Sequence, residues 1–147
     1  MAIYRSHVLV CGGTGCASSK SDLIKKRFEE KIIEMNLEKE VQVISTGCFG
    51  LCEEGPIVVV YPEGSFYAKM QINRVDRIVE EHLYKGRIVR EFLYEESIAD
   101  EKLKSLSQID FYSKQKRVAL RNCGVINPEN IEEYIARDGY QALGKAL

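Results

Sequence analysis

The sequence predicts an α/β protein, with helices flanking a mixed β-sheet and a partly helical extension at the C-terminal end. Short β-branched runs, typical of buried strands, alternate with longer segments of helical periodicity as far as Gly86. Two of the strand runs are joined by Pro-Glu-Gly, which indicates a hairpin. The 147 residues, 45% of them hydrophobic, are sufficient for one such domain and an attached segment.

The first strand and helix surround a glycine-rich loop. Residues 7–10 form a short apolar run that leads into Cys-Gly-Gly-Thr-Gly-Cys. We expect a helix from about Ser19, because Ser19 and Asp22 have the spacing of a capping box and apolar residues recur at helical spacing after them. Asn36 is expected to end this helix.

The next elements are three strands and a helix. Residues 41–45 predict a strand, and the continuous β-branched and aromatic run at residues 57–61 predicts a central strand buried on both faces. Residues 65–70 are expected to return as its hairpin partner. A helix capped by Asn73 should then end at Gly86. The order of strand, helix, three strands and helix predicts a thioredoxin-like topology.

Composition narrows the classes of function. The 21 basic and 22 acidic residues nearly balance, which argues against a nucleic-acid-binding surface. No apolar run approaches the roughly 18 residues needed to span a bilayer. The N-terminal residues lack the apolar segment and cleavage site of a signal peptide. We therefore expect a cytoplasmic protein, in which clustered cysteines indicate metal binding or catalysis more often than disulfides.

Four of the five cysteines form two pairs, Cys11 with Cys16 and Cys48 with Cys52, and each pair lies on a glycine-rich loop at a strand end. In a thioredoxin-like sheet these two loops meet at one edge, so the four sulfurs are expected to converge. Four thiolates are the ligand set of a [2Fe–2S] cluster, and the glycines let backbone N–H groups approach the sulfurs. The pattern predicts a [2Fe–2S] cluster and electron transfer.

Two other interpretations of the cysteines remain open. Structural zinc also takes four cysteines, which would make the chain a zinc-stapled interaction module, although zinc sites usually contain Cys-x2-Cys and neither pair has that spacing. A disulfide or dithiol redox site is the second alternative, although the Cys-x-x-Cys of thioredoxins is missing. No residue is predicted to act as a general acid, base or nucleophile.

The two cysteine motifs resemble those of a known family. Val-Cys-Gly-Gly-Thr-Gly-Cys-Ala-Ser-Ser at residues 10–19 and Gly-Cys-Phe-Gly-Leu-Cys-Glu-Glu-Gly-Pro at residues 47–56 resemble the thioredoxin-like [2Fe–2S] ferredoxin domain. More specifically, they resemble the copy at the N-terminus of the flavoprotein subunit of NAD(P)-linked, electron-bifurcating-type [FeFe]-hydrogenases. That subunit is related to the NADH-binding flavoprotein subunit of complex I. The resemblance continues through residues 111–124 and 127–143.

The resemblance implies an organisation and a set of partners. Residues 1–94 would form the ferredoxin domain, and residues 95–147 a linker and the truncated start of an FMN- and NAD(H)-binding domain. The cluster ligands would be Cys11, Cys16, Cys48 and Cys52, and Cys123 would be structural. The family's FMN, NAD(H) and [4Fe–4S] sites lie outside this chain, so we expect no catalytic activity from it alone. It would relay single electrons among other subunits of a hydrogenase or NAD(P)H oxidoreductase complex; a freestanding ferredoxin is the alternative.

Three smaller expectations concern single residues. Phe49 and Leu51, which flank Gly50 between two cysteines, are expected to shield the cluster or meet a partner. Thioredoxin-like folds often carry a cis proline where Pro56 precedes the central strand. In the C-terminal extension, Asn127 followed by proline is expected to open a helix.

Overall fold

A four-stranded mixed sheet organises the part of the chain that the computed structural model describes, residues 4–94, 114–123 and 125–147. Its strands are β1 (Ser6–Cys11), β2 (Val41–Thr46), β3 (Val58–Tyr61) and β4 (Ser65–Tyr67). They lie in the order β2-β1-β3-β4, with β1 and β2 parallel and the other neighbours antiparallel. The predicted mixed sheet is confirmed, and its hairpin arm β4 is shorter than expected.

Helices connect and cover the strands. They are α1 (Thr14–Ser18), α2 (Ser21–Glu34), α3 (Ile72–Arg77), α4 (Ile131–Ala136) and α5 (Gln141–Ala146). Helix α3 continues as a wider π-helical segment over Ile78–Tyr84, and short 3-10 turns occupy Cys52–Glu54 and Arg90–Phe92. No helix among the described residues has the length and apolar character that crossing a bilayer requires.

The first helical region differs from the expected single helix. The Ser19 N–H donates to the carbonyls of Gly15 and Cys16 at 3.3 and 3.1 Å, so Ser19 closes α1 instead of capping α2. Lys20 then takes a left-handed conformation with φ 67°, and α2 begins without a side-chain cap. The predicted capping box was therefore wrong, because a separate turn holds Cys16. Asn36, at φ 56°, follows the end of α2 as expected.

The N-terminal caps of two later helices differ from the expected ones by two and three residues. Helix α3 is preceded by Gln71 without a side-chain cap, so the predicted cap at Asn73 was wrong. Gly86 has φ +71°, the left-handed conformation expected after a helix end. Helix α4 is capped by Asn130, whose side chain accepts from the Glu132 N–H at 3.0 Å, and not by Asn127. The Gly55–Pro56 and Tyr61–Pro62 peptide bonds are both cis.

Side chains along β1 and β3 alternate between two apolar cores on opposite faces of the sheet. We call the first the helix-side core; it contains Val8, Val10, Ile24, Phe28, Ile32, Val58, Val60, Tyr67, Val75, Ile78, Val79 and Leu83 among others. The second, the loop-side core, contains Leu9, Cys11, Cys16, Ile44, Phe49, Ile57, Val59 and Phe66. Helices α2 and α3 thus cover one face, and the cysteine loops pack against the other.

His82 is buried on the side of the sheet that the helices cover. Its Nδ1 lies 2.8 Å from the Tyr67 hydroxyl. The same hydroxyl accepts the Val89 N–H at 3.3 Å. This network joins β4, the π-helical segment and the chain that follows it.

Candidate metal centre

The sheet brings the two cysteine loops together. Cys11 is the last residue of β1, and it pairs in register with Thr46, the last residue of β2. Because these strands are parallel, the loops that follow them leave the same edge of the sheet. The Gly12 N–H donates to the Thr46 carbonyl at 2.8 Å and extends the pairing into the first loop.

The loops approach closely because glycines face cysteines. A Cβ on Gly13 would lie 2.9 Å from Cys48 Cβ and 3.0 Å from Cys48 Sγ. A Cβ on Gly55 would lie 2.9 Å from Cys16 Sγ. Real Cβ atoms do not approach so closely, so each loop fits the sulfur-bearing residue of the other only where a side chain is missing.

The four sulfurs are grouped as two pairs. Cys48 Sγ and Cys52 Sγ are 3.7 Å apart, and the thiols of Cys11 and Cys16 are hydrogen-bonded to each other. Two thiolates about 2.3 Å from one tetrahedral metal are separated by about 3.8 Å. The spacing of the Cys48–Cys52 pair therefore fits two ligands of a single metal ion.

Electrostatic effects extend across both pairs. Burial, reinforced by the neighbouring Cys11, raises the pKa of Cys16 to about 12, and Cys52 contributes to the same shift. The hydrogen bond with Cys48 raises the pKa of Cys52, and the charge of Cys11 adds to it. Charge is thus felt from one pair to the other, since Cys52 contributes to the raised pKa of Cys16 and Cys11 to that of Cys52.

Backbone N–H groups reach the sulfurs. The Gly50 N–H donates to Cys48 Sγ at 3.3 Å. A backbone hydrogen bond from Ile57 lowers the pKa of Cys16, against the larger effect of burial. Donors of this kind stabilise thiolates that carry the negative charge of a metal centre.

The arrangement fits a binuclear centre better than a single ion. In residues 4–94, 114–123 and 125–147, no three His, Cys, Asp or Glu side chains converge on a position that would hold one metal. A structural zinc requires four ligands around one point. Two thiol pairs on facing loops, with glycines where the loops meet, suit a centre of two metals that each take two thiolates.

Phe49 does not have the surface position that partner contact requires. It is 1% exposed and belongs to the loop-side core. Its ring meets that of Phe66 edge to face, with centroids 6.2 Å apart. Of the two roles expected for Phe49, burial rules out contact with a partner and leaves shielding of the cluster, because the loop turns this side chain inward. Leu51 is half-buried.

Cys123 lies beside the second loop, a position that the sequence did not reveal. Its Sγ is 3.6 Å from the Cys48 carbonyl oxygen. The Cys123 sulfur also fills the space next to Gly47, since a Cβ on Gly47 would lie 2.9 Å from it. The contact joins residues 75 positions apart, and no local pattern signals a pairing of that range.

Comparisons with known proteins agree on one family. Residues 2–83 match the family model described as thioredoxin-like [2Fe-2S] ferredoxin. The chain is 39% identical over 94 residues to a 2Fe-2S ferredoxin of Clostridium pasteurianum, covering 58% of this chain and 92% of that protein. It is 59% identical over 34 residues to the NADP-reducing hydrogenase subunit HndC of Solidesulfovibrio fructosivorans, which covers 23% of this chain and 7% of that subunit.

A solved structure shows the same fold. The crystal structure of the wild-type thioredoxin-like [2Fe-2S] ferredoxin from Aquifex aeolicus superposes with a TM-score of 0.56 at 35% sequence identity. The match covers 62% of this chain and 97% of that one. The chain therefore belongs to the thioredoxin-like [2Fe–2S] ferredoxin family, whose members carry a [2Fe–2S] cluster and transfer electrons.

Proposed function

We propose that Cys11, Cys16, Cys48 and Cys52 are the ligands of one [2Fe–2S] cluster, with each pair on one iron. The observation that carries the proposal is the meeting of two thiol pairs from two loops at one sheet edge. When bound, the cluster accepts and releases one electron at a time. The protein binds it, excludes water from part of it and sets its surroundings.

The two pairs contribute differently. Cys11 and Cys16 are buried in the loop-side core, which keeps water from their side of the site. Cys48 and Cys52 are exposed, and so are the neighbouring Gly47 and Gly50. Since glycines leave this surface without side chains, a partner's cofactor can approach the second pair closely. Electrons would therefore pass through the side formed by Cys48 and Cys52.

The chain is further proposed to act in a multi-subunit hydrogenase or NAD(P)H oxidoreductase complex of the cytoplasm. Residues 1–94 would be the ferredoxin domain, and residues 95–147 a linker and the start of an FMN- and NAD(H)-binding domain. The similarity to the hydrogenase subunit HndC supports this assignment. The exposed apolar side chains of Ile131, Ile135 and Leu143 also support it, because a neighbouring domain or subunit would bury them.

Metal analysis tests the ligand set. Anaerobically purified protein should contain about two irons and two sulfides per chain and give an EPR signal on reduction. Cys16→Ser and Cys48→Ser should lower the iron and sulfide content, whereas Cys123→Ser, the matched change at the fifth cysteine, should leave it unchanged. A colourless protein with one zinc would overturn the proposal.

Isolation of the tagged protein from its native cells tests the complex. We expect flavin-bearing subunits to remain bound through anaerobic affinity and size-exclusion steps. The second candidate is a freestanding ferredoxin. The match to the Clostridium pasteurianum ferredoxin favours it, because that match extends over 92% of that protein. A cluster-loaded monomer that carries no other subunit would support that candidate and contradict the complex.

A further inference from the structure

We infer that Cys123 is a positioning residue for the second cysteine loop, and that through it the C-terminal segment sets part of the cluster's reduction potential. The inference rests on the proposed ligation by Cys48. The central observation is that the Cys123 thiol lies 3.6 Å from the Cys48 carbonyl oxygen. A thiol is a weak donor and sulfur bonds are long, so this contact fits an S–H···O hydrogen bond.

The second observation is the shape of the space that receives the thiol. Gly47 immediately precedes Cys48, and a Cβ there would come within 2.9 Å of Cys123 Sγ. Any other residue at position 47 would push the thiol away from the loop. Gly47, which has no side chain, and the sulfur of Cys123 on the C-terminal segment are therefore complementary in shape.

The third observation is that Cys123 is itself held in place. The Cys123 N–H donates to the Leu120 carbonyl at 3.0 Å, which closes a turn. Arg117 Nη1 donates to the Cys123 carbonyl at 3.2 Å. Burial raises the pKa of Tyr61, and the positive charge of Arg117 opposes that effect, which places the guanidinium near β3. The turn thus presents the thiol from a segment fixed on the domain.

The consequence follows from the direction of the bond. A donor on the Cys48 carbonyl polarises the peptide group between Cys48 and Phe49. It therefore increases the positive character of the Phe49 N–H, which follows the ligand in the chain. Positive dipole ends near the sulfurs favour the reduced cluster, which carries one more negative charge. Loss of the thiol should therefore lower the midpoint potential without removing iron.

Three variants of the full chain test this role. Cys123→Ala removes the donor and should shift the midpoint potential downward, beyond the error of a redox titration, with an altered EPR line shape. Cys123→Ser keeps a hydroxyl donor and should recover most of that shift. Leu120→Ala changes a 63% exposed side chain on the same turn and should leave the potential unchanged.

Iron and sulfide analysis separates the possible failures. If the wild-type protein holds no [2Fe–2S] cluster, the proposed function itself fails. If all variants hold the cluster and Cys123→Ala has the wild-type potential and spectrum, the positioning role is overturned. A shift in Cys123→Ser as large as that in Cys123→Ala would overturn the donor role.

Discussion

Two glycines of the first cysteine loop differ in how closely they approach the second loop. A Cβ on Gly13 would lie 2.9 Å from Cys48 Cβ, whereas a Cβ on Gly15 would lie 3.6 Å from Cys52 Cβ. The first distance forces a neighbour to move, and the second is an ordinary van der Waals contact. The two positions therefore form a matched pair.

Gly13→Ala should displace Cys48 and lower the iron content, since a ligand must sit within a few tenths of an ångström of its productive position. Gly15→Ala should retain the cluster. Iron and sulfide analysis and the visible spectrum of the anaerobic proteins measure the difference. Equal iron content in the two variants would show that the Gly13–Cys48 approach is not needed for the site.

Phe49 and Leu51 lie in the same cysteine loop but differ in burial, so substitutions at the two positions should differ in their effect on stability. Phe49→Ala would open a cavity in the loop-side core and should lower the free energy of unfolding by about 3–5 kcal/mol. Leu51→Ala, at a half-buried position, should cost about 1–2 kcal/mol. Anaerobic denaturant titration of both variants measures these costs. If both variants lost a similarly small free energy of unfolding, the Phe49 ring would not contribute to the core as its burial implies.

At the scale of elements, one buried network ties β4 to the π-helical segment after α3. Because the Tyr67 hydroxyl accepts the Val89 N–H, its own proton is free to point at His82 Nδ1. The neutral imidazole then accepts at Nδ1 and carries its proton on Nε2. That nitrogen has no hydrogen-bond partner in the described structure, and Glu63 Oε2 lies 3.7 Å away.

The network predicts a pH dependence of stability. Burial lowers the pKa of His82 from 6.5, and the charge of Glu63 only partly opposes this. Between the folded-state pKa and 6.5 the unfolded chain binds more protons, so stability should be full above about pH 6.5 and decrease as the pH falls. Denaturant titrations between pH 5 and 8 would measure it.

A substitution isolates the contribution of this one histidine. His82→Gln keeps an acceptor for the Tyr67 hydroxyl and removes the titrating group, so its stability should depend less on pH in that window. Identical pH profiles for the wild-type protein and the variant would show that other groups produce the dependence.

Across the whole molecule, the two cores differ in whether they contain proposed cluster ligands. The helix-side core is formed mainly by apolar side chains from the sheet, α2, α3 and the π-helical segment. The loop-side core includes Cys11 and Cys16, two of the proposed ligands. Removal of the cluster therefore withdraws a cross-link from one face of the sheet only.

Apoprotein made by anaerobic chelation should keep the far-UV circular dichroism of the sheet and helices. Amides of both cysteine loops should exchange with solvent faster, because the link between them is lost, while amides of β1 and β3 remain protected. Hydrogen exchange read by mass spectrometry measures this pattern. Global loss of protection would mean that the cluster stabilises the entire fold.

Much of the site could be predicted from the sequence because its signals are local. The two cysteine pairs, their glycines and the strand runs before them lie within short segments, and the residue types favour thiolate–metal binding. The β3–β4 hairpin also followed from the sequence, because its Pro-Glu-Gly turn is a local signal. The split between α1 and α2 did not, since it depends on how Cys16 packs against the opposite loop.

Periodicity and spacing were sufficient to predict the mixed sheet, its flanking helices and the two pairs of thiols, because they express local backbone and ligand chemistry. The folded chain was needed to show which sulfurs are buried, that Phe49 faces the core, and that Cys123 lies against Cys48. These features depend on contacts between residues far apart in the chain. Such contacts are selected by packing, and packing leaves no fixed spacing in the sequence.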